Sequence, residues 1–476
     1  MKYINILHKY YLYALVILWG AVCFLFFQLC YPYHFFFEEQ SQLFLINKEY
    51  LLSYFSKPAA LSCLIGDFLT QFYYYLYAGA AILTITILTE GDLMRRALQQ
   101  AGLKKYISFL VAIITMTILA CFSLRTEYHL SSIISVIGGT MTFLLCNSLK
   151  VFRYKWVIYL CLSYITFLLF GNGWIIFMVL EFVYNMAKHQ WKEAVAYICL
   201  ISMTTSVSAM LYRNKFCMNT ADMLIYPNIG KFTKPDFILE RDFAADNEYY
   251  FGNYDKVINM VEKEKDPSDN ESFFYNLAAA KLNILPEKLL SEKNPYLGTF
   301  LTINEKTLRL QINMINELYW LIGDMTFTER AATMANTFTP GSRNARMIKR
   351  LAEVNLVTGE KTAAMKYLRN LDNTLIYHKW AEERIKGNNA EYISKRQFTN
   401  TQDTLRTNDN CYVILTELLK SNPKNVTALN YLLCSDLLSR RMDLFGHDYL
   451  RFGPYPRQLY LQAMDIYNTH QKRTAK

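Results

Sequence analysis

Three carboxylates and two cations are the side chains that packing explains least well in this chain. Glu38 and Glu39 stand together in Phe36-Phe37-Glu38-Glu39-Gln40, soon after the long apolar run Tyr10–Cys30. A carboxylate can take a proton from an acceptor hydroxyl as a general base. A basic group such as Lys57 or Arg125 can meet a phosphate through a charge-assisted hydrogen bond. The same pair also reads as two solvated carboxylates near the start of a helix, where they suit the helix dipole. Glu181 is of another kind, because it lies inside the apolar run Trp174–Phe182. A carboxylate in hydrocarbon is costly, so Glu181 is expected to face a cavity, or to be protonated and hydrogen-bonded between helices.

Other chemistries find no residues to carry them. There is no Gly-rich phosphate loop, no Gly-x-Ser-x-Gly and no His-Glu-x-x-His. The seven histidines, His8, His34, His129, His189, His378, His447 and His470, are scattered, and none is assigned to a metal. No cofactor is indicated. The ten cysteines form no Cys-x-x-Cys pair, and most sit in apolar runs, where cysteine behaves as a small hydrophobe. Cys411 and Cys434 either pair as a disulfide or stay two helix thiols. The net charge of +10 is spread without a dense basic stripe, so no nucleic-acid partner is expected.

The elements that must position these residues divide the chain sharply. It has 476 residues, 53% of them hydrophobic, and the long apolar runs nearly all precede Arg213. Runs of about 20 apolar residues are what a bilayer requires. About seven spans are predicted: Tyr10–Cys30, Leu69–Leu88, Tyr106–Phe122, Leu130–Cys146, Tyr154–Phe170, Gly173–Met186 and Glu193–Tyr212. Tyr10–Cys30 is longer than the apolar core of a signal peptide and no small-residue cleavage site follows it, so it reads as a span. Counting from an inner N-terminus, the inner connections carry Arg95, Arg96, Lys104, Lys105, Lys150, Arg153, Lys155, Lys188 and Lys192. The outer ones carry only Lys48, Lys57 and Arg125. That bias places the N-terminus in the cytoplasm and, with an odd number of spans, the C-terminal half outside: in a bacterium, the periplasm.

The predicted organisation is a transmembrane domain over 1–212 with an outer loop at 31–68, a linker over 213–235, and a soluble helical domain over 236–476. Within the outer loop, the spacing of Leu43, Ile46, Tyr50, Leu51, Tyr54 and Phe55 predicts an amphipathic interfacial helix over Gln42–Phe55, stopped by Pro58. The cluster Phe72–Tyr77 reads as an aromatic belt at headgroup level, or as a platform for stacking sugars.

In the soluble half, Ala352, Gly359, Ala364 and Leu368 follow the spacing of a tetratricopeptide (TPR) hairpin, and Ala245, Gly252, Val257 and Val261 follow it nearly. Small residues let two helices approach, glycine makes the turn and a large residue fills the groove between hairpins. Two weaker hairpins are predicted over Glu317–Phe338, turning at Gly323, and over Asn425–Tyr449, after Pro423. The half therefore resembles a TPR-like α-solenoid, and the resemblance implies a protein partner. The whole chain also resembles an uncharacterised family of bacterial inner-membrane proteins with a TPR-like tail, through Lys57-Pro58, Gly66–Phe72 and Arg350–Asn355. That resemblance implies no activity.

The layout of the first half is similar to that of the membrane glycosyltransferases called GT-C. These have an acidic motif in the first outer loop, interfacial helices after it and an outer soluble domain. The similarity implies a polyprenyl-phosphate sugar donor, Glu38 or Glu39 as catalytic base, and Lys57 and Arg125 at the lipid phosphate. The expectation taken forward is an all-α membrane protein whose TPR-like domain serves as a scaffold or assembly factor in an envelope complex. Glycosyl transfer is the alternative.

Overall fold

Helix formers dominate the chain and runs of β-branched residues are short. The computed structural model describes residues 2–148, 155–301, 309–397, 399, 410–453 and 455–474. Among them are 25 α-helices and no strand. The described residues fall into two compact units, Met1–Phe237 and Ile238–Lys476.

The first unit contains α1 (Lys2–Leu25, continued by a π-helical turn over Phe26–Cys30), α2 (Tyr33–Gln40), α3 (Lys48–Ser53), α4 (Ala60–Thr70) and α5 (Ala78–Gln100). It continues with α6 (Lys105–Phe122), α7 (Leu130–Ser148), α8 (Lys155–Phe170), α9 (Gly173–Ala187), α10 (Trp191–Phe216) and α11 (Thr220–Ile225). Four stretches are helical, long and apolar enough to cross a membrane: Tyr11–Cys30, Lys105–Phe122, Leu130–Ser148 and Trp191–Phe216. Trp156–Phe170 and Gly173–Ala187 are apolar but shorter. Exposed Ile17, Leu18, Leu110, Met203 and Leu211 lie on these helices, which suits a lipid-facing surface rather than a water-facing one.

The most buried of the four is α7, and small residues put it there. A Cβ on Gly139 would lie 2.1 Å from the carbonyl oxygen of Gly173 on α9, and one on Gly173 would lie 2.2 Å from that of Ser135. A Cβ on Gly66 of α4 would lie 2.7 Å from the backbone of Ser131. Helices in lipid associate by close backbone approach of this kind, since burying apolar surface gains nothing there.

Two expected elements differ from the structure. The predicted span Leu69–Leu88 is not one helix: α4 ends at Thr70, a 3₁₀ turn covers Gln71–Tyr74, and α5 starts only at Ala78. The rings cause the break. Tyr73 packs edge-on against Phe35 at 4.9 Å and Tyr74 against Phe36 at 6.0 Å, while Tyr75 takes extended backbone. The predicted interfacial helix Gln42–Phe55 is also shorter. Leu43, Phe44 and Leu45 are buried without helical structure, and Asn47 caps the single short helix α3 by accepting from the Tyr50 amide at 2.8 Å.

The second unit contains α12 (Phe237–Tyr250), α13 (Tyr254–Lys263), α14 (Asp269–Lys281), α15 (Leu285–Lys288), α16 (Arg309–Ile322), α17 (Met325–Phe338) and α18 (Ala345–Thr358). After these come α19 (Lys361–Asp372), α20 (His378–Ile385), α21 (Ala390–Arg396), α22 (Cys411–Ser421), α23 (Val426–Leu438), α24 (Met442–Phe452) and α25 (Gln458–Thr474). Helical hairpins form at α16/α17, α18/α19 and α23/α24. Gly359 ends α18 with φ of 90°, and Ala352, Ala364 and Leu368 are buried between its helices. A purely linear stack would keep contacts between neighbours in sequence. Here α23 also packs on α15 and α16, and Asn425 Nδ2 donates to the Ile322 carbonyl at 2.8 Å. The unit closes back on itself.

Candidate functional site

The outer-loop carboxylates sit where the sequence reading did not put them. Glu38 and Glu39 occupy the last turn of α2, not the start of a helix, and both are buried. A helix C-terminus disfavours negative charge, so the solvated pair near a helix start is not what is found. Gln40 Nε2 donates to Glu39 Oε2. Burial, with the charge of Glu127 added, pushes the Glu38 carboxyl well above the ordinary carboxylate range. Burial likewise holds the nearby His34 down, to about 3, in its neutral form. Neither Glu38 nor Glu39 lines any of the three cavities described below.

The two cations expected at a phosphate already have neighbours. Arg125 Nε lies 3.1 Å from Glu127 Oε2. Lys57 Nζ stands over the Tyr54 ring at 5.0 Å and the Tyr226 ring at 5.9 Å. Tyr54 OH donates to Asp67 Oδ2 at 2.7 Å and shares a 2.7 Å hydrogen bond with Tyr50 OH. Asp67 is thus a carboxylate that Lys57 acts on: burial raises its pKa and Lys57 pulls it back. The structure therefore brings Lys57 to Asp67 and Arg125 to Glu127, neither of which the spacing had singled out.

Glu181 is buried between helices. It accepts from Asn147 Nδ2 of α7 and from Tyr159 OH of α8, both at 2.8 Å. Asn147 and Tyr159 also line a cavity of about 170 Å³, together with Lys188, Gln190 and Glu193. Glu90 in α5 was missed in the sequence. It is fully buried and accepts from Thr140 Oγ1 of α7 at 2.8 Å. Its signal was available, because Ile87, Glu90, Met94 and Ala97 recur at helical spacing and all are buried. Cys411 and Cys434 are free thiols.

A dense charged constellation lies in the second unit. A cavity of about 160 Å³ is lined by Tyr249, Tyr250, Tyr254, Lys281, Glu317, Trp320, Arg346, Lys349, Arg350 and Glu353. Five helices build it: α12, α13, α14, α16 and α18. Arg346 and Arg350 are one helical turn apart on α18, so both reach the same side. Arg346 Nη1 lies 2.8 Å from Asp246 Oδ2, and Arg346 Nη2 lies 3.1 Å from Glu317 Oε1. Arg350 reaches Glu317 at 2.7 Å and Glu353 at 3.2 Å. Burial alone would raise the Glu317 carboxyl, but the two guanidinium groups hold it down, to about 2. Aromatic faces complete the lining: Arg350 stands 4.4 Å from the Trp320 ring centre and Arg346 5.0 Å from that of Tyr250. Lys349 Nζ donates to Tyr250 OH at 3.2 Å.

A second cavity, of about 340 Å³, is lined by Lys281, Lys395, Ser394, Gly323, Glu391, Asn425 and Thr427 among others, and shares Lys281 with the first. Such a lining can bind a charged or polar ligand. No group of three or more His, Cys, Asp or Glu among the described residues could hold a metal ion.

Over residues 8–476 the chain matches the family described as a family of unknown function, DUF6057, and belongs to it. No curated protein and no solved structure matches the chain.

Proposed function

We propose that this member of the DUF6057 family is a multi-pass membrane protein whose second unit binds a partner protein in an envelope complex. The observation that carries the reading is the polar, aromatic cavity on α12, α13, α14, α16 and α18. Arginine, tyrosine and tryptophan dominate binding energy at protein interfaces, and here Arg346, Arg350, Tyr250 and Trp320 converge in one concavity. Its carboxylates speak against proton transfer: Asp246, Glu317 and Glu353 are all committed to guanidinium groups. A TPR-like array is the finer reading of the second unit, supported by the left-handed glycine at Gly359 and the buried Ala352 and Ala364 beside it.

For the first unit the reading is about seven crossings, the second made by α5, with the N-terminus inside and the second unit in the periplasm. The basic side chains of the inner connections support it. So does the charged end of α5, where Asp92 pairs with Arg95 and Arg96 at 2.5 and 2.6 Å, close to where an inner interface would lie. A reporter active only outside the cytoplasm, fused after Lys476, is expected to be active, and one fused after Gln99 silent; the reverse pattern sinks the topology. A photo-cross-linking residue at Tyr254 is expected to capture one partner in cells, and Gly359→Val to abolish that capture at normal protein level. Capture unaffected by Gly359→Val removes the second unit from partner binding.

Transfer of a sugar from a polyprenyl phosphate is kept as a second reading on one observation. Glu38 and Asp67 are both carboxyl groups raised by burial in the first outer loop, and Asp67 has Lys57 acting on it. Buried, perturbed carboxyls of this kind are what proton transfer uses.

A further inference from the structure

Lys281 and Lys395 are two cations, among the described residues lining the cavities of the second unit, that its ion pairs do not include. Lys281 lines both cavities and Lys395 the larger one. No carboxylate among the described residues stands within ion-pair distance of either Nζ, because Asp246, Glu317 and Glu353 are taken by Arg346 and Arg350, and Glu391 by Arg384 at 2.7 Å. Lys395 Nζ stands 4.5 Å from the centre of the Trp320 ring, whose neighbour on the other side of the network is Arg350. Two ammonium groups thus share the larger cavity, where Lys281 and Arg350 repel the Lys395 ammonium and Glu353 and Glu317 attract it. Burial, with Lys281 and Arg350 adding to it, brings Lys395 down to about 7. Burial lowers Lys281 as well. Cations are held together at such a cost where something anionic is meant to complete them.

The rest of the lining narrows the anion. Ser394 and Thr427 contribute hydroxyl groups to the same cavity. Thr427 lies in the first turn of α23, a helix of 13 residues whose dipole favours negative charge there. A planar carboxylate is best matched by a guanidinium fork, and both forks here are occupied by the protein's own carboxylates. Compact ammonium groups, hydroxyls and a helix N-terminus suit instead a tetrahedral, doubly charged group with three acceptor oxygens.

We propose that the cavity between α14, α21 and α23 is a phosphoryl-binding seat, with Lys281 and Lys395 as its charges and Ser394 and Thr427 as its hydroxyl donors. The ligand class is a phosphate monoester, supplied by a soluble molecule or by a lipid headgroup. The inference deepens the proposed function and rests on the second unit being the part that binds.

The test uses the full chain, in detergent micelles for one arm and in nanodiscs for the other. Calorimetric titration with glycerol 3-phosphate is expected to show saturable binding. Lys281→Gln and Lys395→Gln are each expected to weaken it by about tenfold or more, as loss of a charge-assisted contact does. Circular dichroism confirms that both variants are folded, and Ser394→Ala, with a smaller loss, serves where either is not. If glycerol 3-phosphate does not bind but nanodiscs containing phosphatidic acid do, with the same dependence on the two lysines, the source is a lipid. Acetate or succinate competing as well as phosphate overturns the phosphoryl assignment. So does binding unchanged in both lysine variants, or no binding in either arm. The Tyr254 cross-link separates this outcome from failure of the parent reading. Capture lost in Gly359→Val without any phosphate binding defeats the seat alone. Phosphate binding with capture indifferent to Gly359→Val defeats the partner reading alone.

Discussion

Arg346 reaches Asp246 across 100 residues of sequence, with Nη1 at 2.9 and 2.8 Å from the two carboxylate oxygens and both side chains almost wholly buried. The pair ties α12 to α18, and Glu317 joins α16 to the same guanidinium. Removing one partner of a buried pair leaves an uncompensated charge, which costs roughly 3–5 kcal/mol. Arg346→Leu is therefore expected to lower the thermal midpoint of the full chain strongly. Arg346→Leu with Asp246→Leu is expected to recover most of the loss, since no lone charge remains. A single variant that melts like the wild type would show that the pair holds nothing together.

Gly359 supplies the turn between α18 and α19 at φ of 90°, and a Cβ there would lie 2.5 Å from Arg396 Nη2. Gly359→Ala carries both the strain of the left-handed conformation and a displaced Arg396, which now donates to the Val357 carbonyl at 2.5 Å. The expected loss is about 1–3 kcal/mol. Gly387→Ala, at φ of 94° with nothing near its Cβ, carries the strain alone and is expected to lose less. Equal midpoints for the two variants would mean that Arg396 contributes nothing to the turn.

For Glu38, the folded carboxyl has its pKa raised by burial and by Glu127. Such a group binds its proton more tightly folded than unfolded, so it favours the fold below its unfolded pKa and loses that favour as pH rises through the folded one. Glu38→Gln is expected to flatten this dependence and to melt no lower than wild type at neutral pH. If Glu38 were a general base, the same change would lower transfer by about 10²–10⁴-fold at normal abundance. An unchanged phenotype in both Glu38→Gln and Glu39→Gln removes the glycosyltransferase reading.

Lys395 works in the opposite sense. Its pKa falls to about 7 in the fold, so above that pH the unfolded chain holds the extra proton and the folded state gains with rising pH, up to the ordinary lysine range. Thermal midpoints of the wild type are expected to climb between about pH 7 and 10. Lys395→Gln is expected to melt higher than wild type at pH 7 and to show less of this climb, the remainder being due to Lys281. A lower midpoint at pH 7 would place Lys395 among the stabilising side chains, contrary to its setting.

Much of the fold was legible because apolar length and helical spacing are local. The run Leu130–Cys146 becomes Leu130–Ser148, and Gly173–Met186 becomes Gly173–Ala187. The breaks were less legible where distant rings decide them. Nothing local in Phe72–Tyr77 says that Phe35 and Phe36 will hold Tyr73 and Tyr74 in a 3₁₀ turn. The outer carboxylates were found but misplaced, since α2 was hidden in an aromatic run that had no evident polar face. The cavity of the second unit was missed for another reason. Arg346, Arg350 and Glu353 form a polar stripe on α18, which looks like a solvated face until Asp246 and Glu317 arrive from other helices.

The glycine contact between α7 and α9 bears on how the protein comes to be made. Helix α7 precedes α9 by the whole of α8, so it leaves the insertion machinery before the surface that will receive it exists. During that interval Ser131, Ser132, Ser135, Gly138, Gly139, Thr140 and Thr142, all buried in the finished unit, face lipid or a chaperone. Hydroxyls bonded back to their own helix can wait there: Ser135 donates to the Ser131 carbonyl at 3.0 Å and Thr142 to that of Gly138 at 2.8 Å. Residence in the membrane can thus precede assembly, and a block at Gly173 would strand an inserted but unassembled chain for quality-control proteolysis.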